Sequence, residues 1–162
     1  DGPRPGAPFS HAVETDGWVI LTGQMPTDPD APDAPLPDGI EAQTRRVMDN
    51  LALILGKLDL DLAHVVQCRC FLTAFERDYA AFNATYQTYF PEDRRPARTT
   101  VGVTALAVGA LVEDDCIARR PRKRQNPIPS AILMTKPAAL PASWSPKHAL
   151  ARLGLSSTAG RL

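Results

Sequence analysis

Val65-Val-Gln-Cys-Arg-Cys-Phe-Leu72 runs straight into Thr73-Ala-Phe-Glu76, and the period of the chain changes at the join. The first stretch is rich in β-formers and predicts a strand. Thr73 and Glu76 stand at the spacing of a capping box, in which a hydroxyl caps the helix and a glutamate reaches back. Phe75, Tyr79, Phe82, Tyr86 and Tyr89 then recur at helical intervals. That stripe reads as core packing against a sheet rather than a base-stacking platform, because its neighbours are not basic. Pro91 ends the helix.

Upstream, Val19, Ile20 and Leu21 follow the turn signal Asp16-Gly17 and predict a buried strand, with Phe9 to Val13 as its hairpin partner. Residues 26–39 carry Pro26, Pro29, Pro32, Pro35, Pro37 and Gly39, which makes them a loop. From Ile40, Val47, Leu51, Ile54, Leu55 and Leu58 form one apolar helical face, opposed by Gln43, Arg46, Asp49 and Asn50. Downstream, Thr99 to Leu106 and Leu111 to Ala118 read as two strands joined by a short turn at Gly109, which would pair as a hairpin. This order predicts an α+β sandwich, with two helices covering one face of a mixed sheet.

The 162 residues suit one domain at 1–118 and a basic, Pro-rich tail at 119–162. All the acidic residues lie in 1–118, giving that part −9, and the tail is +9. The tail is expected to be disordered, or loosely helical around His148 to Leu155, or a remnant of read-through or fusion near Met134. No apolar run reaches the roughly 18 residues of a membrane span. The start, Asp1-Gly-Pro-Arg-Pro5, has no apolar stretch, so no signal peptide is expected, and the missing initiator Met suggests a trimmed or fragmentary start. Cys68, Cys70 and Cys116 form no disulfide framework; the first two share a face of their strand, and all three read as buried reduced thiols. Neither C-x-x-C spacing nor further ligands support a metal site.

Two segments carry candidate chemistry. In Pro96-Ala-Arg-Thr-Thr-Val-Gly-Val103, Arg98 opens a strand, and its planar fork of donors matches a carboxylate; the alternative is a solvated rim arginine. In Leu111-Val-Glu-Asp-Asp-Cys-Ile-Ala118, three successive acids break the strand pattern. Alternation puts Glu113 and Asp115 on one face and Asp114 on the other. Glu113 would near the mouth that Arg98 approaches and serve as a general base toward water, or else the acids solvate an edge strand. Nothing of G-x-S-x-G, P-loop, G-x-G-x-x-G or H-E-x-x-H type is present. His11, His64 and His148 share no ligand spacing, and His11 either approaches a site or is a partly exposed strand histidine.

Residues 8–118 resemble the Rid family (YjgF/YER057c/UK114) through Pro8-Phe-Ser-His-Ala-Val13, Leu21-Thr-Gly-Gln-Met-Pro26, Gln43-Thr-Arg-Arg-Val-Met-Asp-Asn50, Phe82-Asn-Ala-Thr-Tyr-Gln-Thr-Tyr-Phe90, Pro96-Ala-Arg98 and Gly109-Ala-Leu-Val-Glu113. The tail has no counterpart there. The resemblance implies a chorismate-mutase-like fold of the Bacillus type, with a mixed six-stranded sheet covered on one face by two helices. It implies a cytoplasmic homotrimer with sites in clefts between subunits, and a RidA-like deaminase hydrolysing 2-imino or enamine acids to 2-keto acids without metal or organic cofactor. Arg98 matches the arginine that grips the substrate carboxylate, and Glu113 the glutamate that positions water. Thr22 and Gly23 match the strand end lining the pocket. Phe9 stands where many members have tyrosine, and so lacks its hydroxyl. Thr100 stands where some have a reactive cysteine, which argues against thiol chemistry. Asp114 replaces a usual apolar residue, to weaken its strand or to emerge at an edge.

Two other readings use the same chain. A regulatory trimer would bind a metabolite in that pocket without catalysis. RNA cleavage or translation inhibition, ascribed to some relatives, meets the −9 of the first 118 residues, which repels phosphate, so nucleic acid is expected at most through the basic tail.

Overall fold

The computed structural model describes residues 8–121. The readings of residues 1–7 and 122–162, and so of most of the basic tail, lie outside the described residues. Asp16-Gly17 makes a two-residue turn in which both residues have positive φ (49° and 76°). This is the backbone that matches strand twist in a tight hairpin, and it joins β1 (Ala12–Thr15) to β2 (Trp18–Gln24). The chain continues through α1 (Gly39–Lys57), β3 (Val65–Leu72), α2 (Phe75–Tyr86), β4 (Ala97–Gly102) and β5 (Val112–Arg119). The sheet order is β1-β2-β5-β3-β4, with β3 and β4 parallel and every other pair antiparallel.

Five strands are described where six were expected, and the last two do not form a hairpin. β5 pairs with β2 and β3, so β3 lies between β4 and β5. The residues after Gly102 must therefore cross the end of β3 before the chain can return. Val103 donates its N–H to the Leu72 carbonyl, and a short 3₁₀ turn follows at Ala107–Gly109. β4 consequently stops at Gly102 and not at Leu106. The apolar, β-branched look of 103–108 reflects composition alone.

The core lies between the sheet and the two helices. Val19, Leu21, Val112, Cys116, Ala118, Cys68, Cys70 and Leu72 come from the sheet, and Val47, Met48, Leu51, Leu55, Phe82 and Tyr86 from the helices. All three cysteines are free and buried. Two of the four residues expected on the solvent face of α1 are instead buried, because the proline loop packs there and needs partners for its backbone. Asn50 donates to the carbonyls of Met25 and Thr27, at 3.0 and 2.9 Å. Gln43 donates to Pro37 O and accepts from Leu111 N. The capping box at Thr73 is not formed. The N-cap is Ala74, and the Thr73 hydroxyl turns to the Ala110 carbonyl across the chain crossing.

Among the described residues no helix covers the other face of the sheet. Trp18, Ile20, Val66 and Val101 stand exposed on it, and Trp18, Ile20, Val66, Gln67, Ala97 and Ile117 line a shallow depression.

Val108 sits in the crossing with φ 53° and is largely exposed. A β-branched residue pays about 1–2 kcal/mol for left-handed backbone. Val108→Gly is expected to raise stability by about 1 kcal/mol after the glycine's greater unfolded-state freedom is subtracted, measured as a higher urea midpoint at unchanged slope.

Candidate active site

Parallel pairing of β4 with β3 sets Arg98 beside Cys68 and Thr100 beside Cys70, on the helix-covered face. Arg98 extends over α2. Its guanidinium carbon lies 4.6 Å from the Tyr86 ring centroid and 5.5 Å from that of Phe82, and Nη2 donates to Asn83 Oδ1 at 2.7 Å. Positions 82, 83 and 86 share one side of a helix, so α2 offers two aromatic faces and one acceptor to a single cation. The two ring contacts and the one hydrogen bond hold the guanidinium over α2 while Asn83 occupies only part of its five donors. The Thr100 hydroxyl nearby is buried with no hydrogen-bond partner in the structure.

Glu113 occupies the opposite face. It pairs in register with Phe71, and its carboxylate lies across Gly23, where a methyl group would fall on Oε1. That approach depends on a bulge. Leu21 pairs with Cys116 and Gln24 with Asp114, so Thr22 and Gly23 together oppose one residue of β5. The Thr22 N–H is held by His11 O, and the Gln24 amide donates to the carbonyls of Thr22 and Gly23. Partial burial, and after it the charge of Asp115, raise the Glu113 pKa above the usual carboxylate range. Phe9 precedes β1, is exposed, and meets the His11 ring edge-to-face at 6.0 Å.

The fold therefore joins Glu113, Gly23 and Thr22 on one side, and Arg98 with Thr100 on the other. It does not bring Arg98 and Glu113 to one face of the same chain. β5 is also no edge strand, so solvation of an edge does not explain its acids. Asp115 accepts a bidentate pair from Arg69, its register partner on β3, at 2.9 and 2.7 Å. Asp114 does not emerge at an edge; it is fully buried on the helix side, and neither of its oxygens makes a well-formed hydrogen bond. Burial pushes its pKa up to about 7, with the Cys70 thiol and the Arg98 charge pulling the other way.

The sequence places Phe82 and Tyr86 in the core, as found, but gives neither them nor Asn83 a part in the site; the signal was a polar residue set inside the aromatic stripe at positions 82, 83 and 86. Among the described residues no group of three His, Cys, Asp or Glu side chains is placed to hold a metal ion.

Comparison with known proteins gives one consistent result. Residues 1–120 match the family model described as Endoribonuclease L-PSP. Protein DfrA of Myxococcus xanthus is 42% identical over 118 residues, covering 72% of this chain and 88% of its own. A RutC family protein of Synechocystis sp. is 34% identical over 119 residues, covering 74% and 91%. Among solved structures, the YjgF gene product of E. coli matches with a TM-score of 0.68 at 30% identity, covering 74% of this chain and 94% of its own. RidA from a Psychrobacter species matches with a TM-score of 0.68 at 30% identity, covering 73% and 93%.

The buried Asp114 gives stability a pH dependence. Its unfolded pKa is about 3.9, and its folded value is raised to about 7. The folded chain then binds more protons than the unfolded chain between these values, so its contribution is complete at low pH and lost as pH rises to about 7. Urea unfolding from pH 5 to 7 is expected to show wild type losing up to about 1 kcal/mol per pH unit relative to Asp114→Asn. Parallel curves for the two proteins would remove the buried acid from the account.

Proposed function

The chain belongs to the Rid family (YjgF/RutC, the Endoribonuclease L-PSP model), and on that footing we propose that it hydrolyses 2-imino acids, and the enamines in equilibrium with them, to 2-keto acids and ammonia. The observation that carries this reading is the Arg98 guanidinium, set over the Tyr86 ring and hydrogen-bonded to Asn83, with donors to spare for a small carboxylate. Glu113 supplies the second group, a partly buried carboxylate of raised pKa against a glycine backbone.

Arg98 would hold the substrate carboxylate while the imine, protonated at nitrogen by solvent, is attacked at carbon by a water whose proton passes to Glu113. The resulting carbinolamine then collapses: Glu113 returns its proton to the amine nitrogen, the C–N bond breaks with ammonia as the leaving group, and the hydroxyl proton goes to solvent as the carbonyl forms. A raised pKa suits a group that must both accept and return that proton. Proximity and a fixed positive charge provide the acceleration, and the steps use side chains and water alone. Thr22, Thr100 and the wall offered by Phe9 would set the shape around the substrate.

Arg98 and Glu113 lie on opposite faces, so one substrate would meet both where two copies join. The exposed apolar face around Trp18, Ile20 and Val66 favours such packing, and fits a homotrimer of chorismate-mutase-like subunits with three shared sites. No helix among the described residues is long and apolar enough to cross a membrane, and we place the reaction in the cytoplasm, where pyridoxal-phosphate dehydratases would supply such imines.

The direct assay is keto-acid release from an imine generated in the cuvette. Arg98→Ala is expected to lower kcat/KM by about 100-fold or more, the scale of a lost charge-assisted pair. Full activity in that variant would sink the assignment, and keto-acid binding with no acceleration over buffer would make the protein a metabolite-binding trimer instead.

Gly23→Ala separates positioning from folding. The added methyl displaces only the end of a flexible side chain, so the melting temperature should change little while kcat falls at least about 10-fold, the loss expected of a misplaced general base. Equal losses of stability and activity would speak against a role for Gly23 in placing Glu113.

A further inference from the structure

The mechanism above leaves Asp114 unused. On the helix-facing side the register aligns Gln24 of β2, Asp114 of β5, Cys70 of β3 and Thr100 of β4 in one row across the sheet. The neighbouring row is Leu21, Cys116, Cys68 and Arg98. A polar line thus crosses a layer that is otherwise apolar and ends at the edge strand, beside Arg98. Both oxygens of Asp114 and the hydroxyls of Thr100 and Tyr86 lack well-formed hydrogen bonds along it. Buried polar groups left in that state weaken the fold, and their presence calls for a reason.

We propose that Asp114 is the internal counter-charge of Arg98 and sets how strongly Arg98 takes a ligand carboxylate. This rests on Arg98 being the carboxylate site of the preceding reading. Apart from burial, the groups acting on Asp114 come from β3, β4 and its own strand, since its β2 neighbour Gln24 is uncharged; the Cys70 thiol of β3 favours its charge. Glu113 and Asp115 share its own strand and disfavour its charge, while Arg98 on β4 favours it. The thiols of Cys68, Cys70 and Cys116 and the phenol of Tyr86 are all pushed up by burial, Cys68 to about 12, and so stay neutral. The buried positions of α1 are apolar or uncharged. Arg98 is then the cation available to Asp114 among the described residues.

A carboxylate arriving at Arg98 finds the guanidinium already facing one negative charge when Asp114 is ionised. Inside a protein the repulsion between the two anions is poorly screened. Protonating Asp114 removes it. Ligand binding should therefore take up a proton, and affinity should decline as pH rises through the titration of Asp114.

The probe is pyruvate, a 2-keto acid that stays ionised throughout, titrated calorimetrically from pH 5.5 to 8.5 in buffers of different ionisation enthalpy. Wild type should show Kd rising by at least about 5-fold, the lower range of ordinary site coupling, with proton uptake on binding. Asp114→Asn and Asp114→Val should bind with a flat pH profile, as tightly at pH 8 as wild type at its acid limit. A flat profile in wild type, or the wild-type slope in both variants, overturns the proposal. A ligand-free arm follows the Asp114 carboxyl by ¹³C NMR in wild type and Arg98→Gln. The titration should move upward when the guanidinium is removed, and an unmoved midpoint overturns the coupling. Undiminished pyruvate binding by Arg98→Gln overturns both readings. Binding lost in Arg98→Gln but with the wild-type slope kept in Asp114→Asn overturns this one alone.

Discussion

β5 lies between β2 and β3, hydrogen-bonded to both, and this insertion governs most of what surrounds it. A chain that returns from β4 into the middle of its own sheet must first climb over the end of β3, which is why residues 103–110 are irregular and why Val108 is held in an uncomfortable backbone. The same insertion turns three adjacent acids into three different objects. Glu113 rests against a bulge of β2, Asp115 is gripped by Arg69 from β3, and Asp114 is driven beneath the sheet. Their difference comes from strand alternation across two partners rather than from any difference in side-chain chemistry.

The two faces of the sheet consequently have different electrostatic characters. On the covered side, α2 supplies two aromatic faces and one amide oxygen for Arg98, none of which carries a full negative charge. On the open side, Glu113 is partly buried beside another anion and holds its proton more tightly than a free carboxylate. Each group is therefore prepared by its own face, and the sheet keeps the two apart within one chain. A function that needs both is one that a single copy does not complete.

The sequence disclosed the elements well where one principle decided them. Asp16-Gly17 fixed a turn, Val65–Leu72 was a strand to the residue, and the alternation at 113–115 was correct. It misled where long-range contacts outvoted local pattern. Gln43 and Asn50 look like solvent residues on a helical wheel, yet a distant proline loop needs their amides. Thr73 has the spacing of a cap, yet the chain crossing claims its hydroxyl. Strand order was not legible at all, because nothing local distinguishes a hairpin from a crossover when both join two apolar segments. For the same reason Arg98 and Glu113 could be named from their motifs, while the face each occupies could not. Asn83 and Tyr86 became meaningful only when a partner from β4 was laid over them.

The bulge at Thr22-Gly23 gives β2 two incompatible frames. Before it, odd-numbered residues such as Val19 and Leu21 face the helices; after it, the even-numbered Gln24 does. The strand thus counts its residues differently at its two ends, and the extra residue does the conversion. A loss of one of the two bulge residues would leave Gln24 opposite Asp114 and still facing the helices, but it would flatten the strand and remove the close approach of Gly23 to the Glu113 carboxylate. This short segment is therefore held twice, in length by the bulge that re-aims the strand and at position 23 in composition by the carboxylate lying across it.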